Sequence, residues 1–277
     1  MSAVLTWLYV PGDRPEVVAK ALHSGADVVL VDLEDAVAPD RKAYALDATA
    51  ELLSSGAPGP SPVHVRINAL NGPLAEHEVR TLAPLPGLAG LRLPKTDSAD
   101  QVRAVAAWAA HAPAELPLHP LLESALGIEY AYEIATATRS VRGLALGEAD
   151  LRADLGIADE TGLAWPRGRV VVAARAAGLA PPAQSVFPNV RDLEGLAASC
   201  ARGRALGFLG RTAIHPRQLP VIERAFLPTE QDMEAAEEIV KAAATDSGAL
   251  ALPDGRFVDA AVVEGARRTL ALASRPR

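Results

Sequence analysis

The segment Asp27-Val-Val-Leu-Val-Asp-Leu33 is an almost unbroken apolar run. A strand with one wet face alternates apolar and polar side chains. A run such as this one is suited to burial on both faces, as in a parallel sheet covered by helices. Upstream, Leu5–Val10 is a shorter apolar run stopped by Pro11-Gly12, and Pro15–His23 between the two reads as a helix. Downstream, Asp40–Leu53 is helical and Ser54–Pro62 is a Gly/Pro/Ser loop. Strands are then expected over Val63–Ile67, Leu88–Leu93, Leu116–Leu122 and Val141–Leu146. Helices are expected between them over Pro73–Leu82, Ser98–Ala110 and Ile128–Ala137. After Asp150 comes a longer polar loop, then a helix over Pro166–Ala177 with proline in its first turn. Ser185–Phe187 reads as a short seventh strand, Asp192–Leu206 as a helix, and Phe208–Ile214 as an eighth strand ending at His215-Pro216.

Strand ends recur every ~25–35 residues, the size of one βα unit. Eight such units close a (β/α)8 TIM barrel, whose usual length of ~250 residues suits this chain. A doubly wound open α/β sheet is the alternative, but it needs a nucleotide fingerprint, and no Gly-x-Gly-x-x-Gly occurs. The expected organisation is an α/β barrel over residues 1–226 and a C-terminal helical extension over residues 227–277. In that extension Glu230–Ala244 is a charged amphipathic helix, Thr245–Asp254 a connector, and Arg256–Ala273 a final helix with Asp259 near its start. The extension lies outside the eightfold repeat, so it is expected to pack on the barrel or on a neighbouring subunit.

Of the 277 residues, 49% are hydrophobic and only 4% aromatic, so the core must be built mostly of Ala, Val and Leu. A formal net charge of −7 argues against nucleic acid or an anionic membrane as the main partner. It leaves room for a small anionic ligand held by local Arg and Lys. The lone Cys200 excludes an intramolecular disulfide, fits a cytoplasmic setting, and reads as a packing residue. Residues 1–10 carry no secretory pattern, and no stretch approaches the ~20 apolar residues of a membrane span.

Polar residues at the carboxyl ends of parallel strands are where α/β barrels keep their chemistry. Glu123 closes Leu116–Leu122, Asp150 closes the Val141 segment, and Arg66 ends Val63-His-Val-Arg66. Adjacent strands lie ~4.8 Å apart, so Glu123 and Asp150 can share one hard cation of the Mg²⁺ type, which takes one or two carboxylates and fills its shell with water and substrate oxygens. The alternative is that these acids only cap the following helices. No histidine pair or thiolate cluster has zinc spacing. Asp32, Glu34 and Asp35 crowd the second strand's end and are expected to orient Arg66, Lys95 and metal-bound water. Lys95 also raises a Schiff-base mechanism, but so many neighbouring acids should keep it protonated. His215 is read as holding the last loop, with an acid–base role as the alternative.

Several stretches, in order from residue 7, resemble the citrate lyase β-subunit-like branch of the HpcH/HpaI aldolase family. They are Trp7-Leu-Tyr-Val-Pro-Gly-Asp-Arg-Pro-Glu16, Gly25-Ala-Asp-Val-Val-Leu-Val-Asp-Leu-Glu-Asp-Ala-Val37, Val65-Arg-Ile-Asn68 and Leu93-Pro-Lys95. The series continues with Leu122-Glu-Ser124, Gly147-Glu-Ala-Asp-Leu151, Asp192-Leu-Glu-Gly195 and Gly207-Phe-Leu-Gly-Arg-Thr-Ala-Ile-His-Pro-Arg-Gln218. The resemblance implies a Mg²⁺-binding barrel, commonly trimeric, that acts on the carbon–carbon bond of 3-hydroxyacyl thioesters. It implies Glu123 and Asp150 as metal ligands and Arg66 as the residue gripping the oxo-acid. It further places Tyr9, Arg14 and Lys20 against the acyl-CoA. Gly255-Arg-Phe-Val-Asp259 is similar to a tail segment whose Asp reaches a neighbouring subunit's site, which makes Asp259 the candidate acid–base.

The chain departs from the family pattern at Leu5-Thr6, where Arg-Ser is common, at Ser124 for Thr, at Arg211 for Lys and at Gln184 for Asp. These departures bear on the substrate. The expected reaction is Mg²⁺-dependent cleavage of a thioester such as citryl-, malyl- or citramalyl-CoA to acetyl-CoA and oxaloacetate, glyoxylate or pyruvate. Thioester hydrolysis or condensation at the same site, aldol cleavage of free hydroxy-oxo acids, work on an acyl-carrier protein, and non-catalytic metabolite binding are the alternatives.

Overall fold

The computed structural model describes residues 3–56, 58–245, 250–251 and 255–275. Seven parallel strands form one curled sheet: β1 (Thr6–Pro11), β2 (Val28–Asp32), β3 (Val63–Arg66), β4 (Leu88–Leu93), β5 (Leu118–Leu122), β6 (Ala145–Leu146) and β7 (Arg211–Ala213). Their order is β6-β5-β4-β3-β2-β1-β7, with helices in the connections. All of β2 is buried, as a strand covered on both faces requires. The register sets Asp32 beside Arg66 and Arg66 beside Arg92, and Arg92 is in turn level with His119. Residues two apart on a strand share a face. Trp7 and His64 therefore form a layer one step before Tyr9 and Arg66, and His119, Leu121 and Glu123 climb the same face of the β5 segment.

Several expected elements differ. Ser185–Phe187 is not a strand. Instead Ala183 and Gln184 make isolated parallel bridges to Ala145 and Arg211. The Ser185 and Phe187 carbonyls accept side-chain bonds from Arg211 and Gln218 in place of ladder bonds. Of Val141–Leu146, only Ala145–Leu146 pairs continuously, and Val141 makes a single bridge to Leu118. Asp150 does not lie in a loop. It sits in the first turn of the helix Glu148–Leu155, where an acid meets the positive end of the helix dipole. The helix expected over Pro166–Ala177 begins earlier and spans Ala164–Ala176.

By its internal contacts the chain divides into two units. The larger runs from Val4 to Ile222, and the smaller is built on Glu223 onward together with Ala3. In the smaller unit the helix Glu230–Thr245 is followed by an antiparallel pair, β8 (Leu250–Ala251) and β9 (Phe257–Val258), and by the helix Ala260–Ala273. That last helix starts four residues later than expected, because Phe257–Val258 is extended and Asp259 caps the helix through a bond from the Val262 amide. Val258 and Val263 are buried against Ile239, Ala242 and Ala243. Within the expected connector Thr245–Asp254, positions 246–249 and 252–254 lie outside the described residues. Among the described residues, no helix is long and apolar enough to cross a membrane.

Candidate active site

The carboxyl ends of the strands open on a cavity of about 370 Å³. Tyr9, Asp32, Asp35, Arg66, Glu123 and Asp150 all line it. Asp32 and Arg66 are the last residues of β2 and β3, and Glu123 follows the last residue of β5. Five segments far apart in sequence thus meet because parallel strands end on one rim.

Arg66 is gripped on all sides. Its Nε and one terminal nitrogen donate to the two oxygens of Asp32 at 2.7 and 2.6 Å. The other terminal nitrogen pairs with Glu34 at 2.9 Å and with Asp35 at 3.3 Å. Burial opposes the guanidinium's charge, but the fork to Asp32 and the nearby acids outweigh it and raise its pKa. Lys95 completes the cluster, with Nζ 2.7 Å from Glu34, 3.8 Å from Asp35 and 3.7 Å from Asp150. Burial works against the ammonium here too, but the bond to Glu34 and the surrounding carboxylates hold its pKa above the usual lysine value. A lysine held charged in this way is a poor Schiff-base nucleophile.

Glu123 is 5% exposed. One of its oxygens accepts the Lys95 amide at 2.6 Å. Lys95 is the one non-glycine residue with positive φ (48°) among the described residues, a conformation that costs on the order of 1 kcal/mol or more. Gly147, whose amide donates to the Leu122 carbonyl, packs so closely that a Cβ there would overlap Glu123 Oε2. Burial, with the charges of Glu34 and Asp150 adding to it, pushes the Glu123 carboxyl up to about 8 against the Lys95 hydrogen bond and Arg66. A buried acid crowded by other acids is a place where a cation gains stabilisation. Asp150, half exposed, presents its carboxylate to the same cavity. These two carboxylates suit a hard divalent ion whose other positions go to water and ligand oxygens. Among the described residues, no group of three or more His, Cys, Asp or Glu is placed to form a cage.

The layer of the sheet face one step before the rim has a different character. Trp7, His64 and His119 pack edge-to-face or tilted, with ring centroids 5.0 to 5.3 Å apart. Burial, with the Arg92 charge added, pulls the His64 imidazole down to about 3 and depresses His119 as well, so both rings are neutral. Arg92 lies over Trp7 at 4.9 Å and lines the cavity. Sequence reasoning passed over Arg92. It also passed over the buried Arg167, which grips Glu148 through two bonds of 2.7 and 2.8 Å beside the cavity.

The remaining expected residues are dispersed. Arg14 and Lys20 are exposed on the helix Pro15–Ala21 and its N-terminal flank, and they do not line the cavity. Asp259 belongs to the smaller unit. His215 caps the short turn Pro216–Gln218, its Nδ1 accepting the Arg217 amide at 3.1 Å. Cys200 is buried, with Arg211 at 3.5 Å from its sulfur.

A model of the HpcH/HpaI aldolase/citrate lyase family matches residues 5–216. The chain is 32% identical to citrate lyase subunit beta of Leuconostoc mesenteroides subsp. cremoris, covering 97% of this chain and 93% of that protein. It is 34% identical to a (3S)-malyl-CoA thioesterase of Cereibacter sphaeroides, over 96% of this chain and 93% of the other. Among solved structures it superposes on protein CitE from Mycobacterium tuberculosis in complex with magnesium, acetoacetate and coenzyme A, with a TM-score of 0.84, 32% identity and 99% of each chain covered. The acids and cations at the strand ends, the curled parallel sheet and these likenesses agree, and the chain belongs to the HpcH/HpaI aldolase/citrate lyase family.

Proposed function

We propose that this protein is a Mg²⁺-dependent carbon–carbon lyase that cleaves a 3-hydroxyacyl thioester into a 2-oxo acid and acetyl-CoA. The observation that carries the reading is the buried Glu123 carboxylate. It is held by the Lys95 amide, faces a cavity shared with Asp150, and is crowded by other acids. The relatives named above, a citrate lyase subunit and a protein crystallised with magnesium and coenzyme A, support the same chemistry.

In this reading Glu123 and Asp150 hold the ion. Bound Mg²⁺ supplies a Lewis acid for the hydroxyl and carboxylate oxygens of the substrate. Arg66, fixed by Asp32, Glu34 and Asp35, offers its remaining donor capacity to the oxo-acid carboxylate and the forming carbonyl oxygen. Loss of the hydroxyl proton to solvent lets its electrons form the new carbonyl. The carbon–carbon bond breaks toward the thioester, and the resulting enolate carbon takes a proton to give the acetyl thioester. Asp259 is proposed as the acid–base for that proton, donated by the tail of a neighbouring subunit in a homotrimer. Tyr9, Arg14 and Lys20 are proposed to contact the acyl-CoA, the exposed cations of the latter two suiting its phosphates.

The finer architecture follows the same proposal. A closed barrel completed through 183–184 is supported by the bridges Ala145–Ala183 and Gln184–Arg211. A tail beginning near residue 227 acts as the subunit-reaching extension, and the enzyme works in the cytoplasm. Hydrolysis of the thioester at the same site is the second reading, favoured by the malyl-CoA thioesterase relative.

Citryl-, malyl- and citramalyl-CoA incubated with Mg²⁺ and then with EDTA test the proposal. Lyase action releases acetyl-CoA and an oxo acid and stops on chelation. Release of free CoA with an intact hydroxy acid selects the thioesterase, and no release in any arm contradicts both. Asp259→Asn keeps a side-chain oxygen for the helix cap, so its turnover should fall at unchanged melting temperature. Full turnover would clear Asp259 of a role.

A further inference from the structure

Arg92 has no part in the chemistry just described, yet it lines the cavity while only 3% exposed. Its Nε is buried without a hydrogen-bond partner, and among the described residues its guanidinium makes no hydrogen bond and no ion pair. Three other arginines around the strand ends are satisfied. Arg66 has Asp32 and Glu34, Arg167 has Glu148, and Arg211 donates to the Ser185 carbonyl and to Gln184. Arg92 rests only on the face of Trp7, and a cation–π contact is worth ~0.5–2 kcal/mol. That does not offset the several kcal/mol of burying an unpaired charge. The neighbouring rings supply no negative charge, since His64 and His119 are neutral and the Tyr9 phenol is pushed up by burial against the pull of Arg66 and Arg92. Glu123 acts on Arg92 through its charge without a hydrogen bond, and burial with the Arg66 charge still holds the Arg92 guanidinium below its usual pKa. A cavity wall of this kind is complementary to an anion that arrives with the ligand.

Arg66 and Arg92 are register partners on β3 and β4, with backbones ~4.8 Å apart. Two guanidiniums at one level, on one face, suit one small molecule with two acid groups. We infer that Arg92 receives the second carboxylate of a dicarboxylic 2-oxo acid and so selects it over monocarboxylic acids such as pyruvate or glyoxylate. The inference rests on the lyase reading and narrows its substrate class.

The test is calorimetric binding of oxaloacetate and of pyruvate to the Mg²⁺-loaded protein, with wild type and Arg92→Met, alongside the melting temperature of each without ligand. Wild type should bind oxaloacetate about 10–100-fold more tightly than pyruvate, the worth of a charge-assisted contact. Arg92→Met should reduce that preference to within about threefold, leave pyruvate affinity nearly unchanged, and melt no lower than wild type, because an apolar chain replaces an unpaired buried cation. A preference that survives in Arg92→Met, or a wild type that binds the two acids equally, overturns the inference and leaves the lyase reading standing. Lowered stability of Arg92→Met with an unchanged preference would make Arg92 a packing residue. A wild type that binds neither acid overturns the oxo-acid reading itself, and the inference with it.

Discussion

Two arginines stand side by side in this cavity and are treated in opposite ways. Arg66 on β3 is wrapped by Asp32, Glu34 and Asp35, while its register partner Arg92 on β4 has a tryptophan face, feels Glu123 only at a distance and is paired with no acid among the described residues. The outer layer is a network in which Lys95 pairs with Glu34 and Asp150, and its backbone amide holds Glu123, before any ligand arrives. The inner layer of Trp7, His64 and His119 is neutral and aromatic. The difference separates positioning from recognition. Charges that must be pre-organised are cross-braced by the protein, and the charge left unbraced is the one a ligand can complete.

Removing the brace should have the largest effect on stability. Asp32→Asn leaves Arg66 buried with half its fork, and breaking a buried ion pair in this way costs about 3–5 kcal/mol. Denaturant unfolding should therefore rank Asp32→Asn well below wild type and Arg92→Met at or above it. Equal losses in the two variants would erase the contrast drawn between the layers.

The outer layer should also respond to pH. Folded Glu123 keeps its proton up to about pH 8, whereas an unfolded glutamate releases it near 4.5. Between those values the folded chain binds more protons than the unfolded chain, so metal-free stability should fall as pH rises across that window, by up to a few kcal/mol. Glu123→Gln should flatten this part of the profile, because an amide does not ionise and can still accept the Lys95 amide. A slope unchanged in Glu123→Gln would assign the effect to another group.

A smaller perturbation is available at Gly147. Its Cα faces the Glu123 carboxylate, and the methyl of Gly147→Ala must displace it. Disturbing a group that orients a ligand typically costs about 10–100-fold in metal affinity. Titration with Mg²⁺ should show that weakening, while selectivity at Arg92 is retained.

The parallel sheet was legible because Val28–Asp32 is apolar at successive positions, a pattern that fits burial on both faces. The rim was legible because acids and Arg66 followed apolar runs. What escaped had a physical reason in each case. Asp150 read as a loop residue because acids are favoured both in loops and in the first helical turn, and the sequence does not separate the two. The Ser185–Phe187 stretch looked like a strand by side-chain type, but the Arg211 and Gln218 side chains take its carbonyls, and only isolated bridges form at 183 and 184. Arg92 sits between Leu91 and Leu93, so it reads as the wet position of a half-buried strand. Only curling the sheet turns that position inward, level with Arg66.

The central claim is that Glu123 and Asp150 together hold one divalent ion that receives an oxo acid. Thermal unfolding of wild type, Glu123→Ala and Asp150→Ala, with and without Mg²⁺ and oxaloacetate, tests it most directly. The account predicts that Mg²⁺ and oxaloacetate together raise the wild-type melting temperature and that neither variant responds. An equal shift in both variants would contradict it.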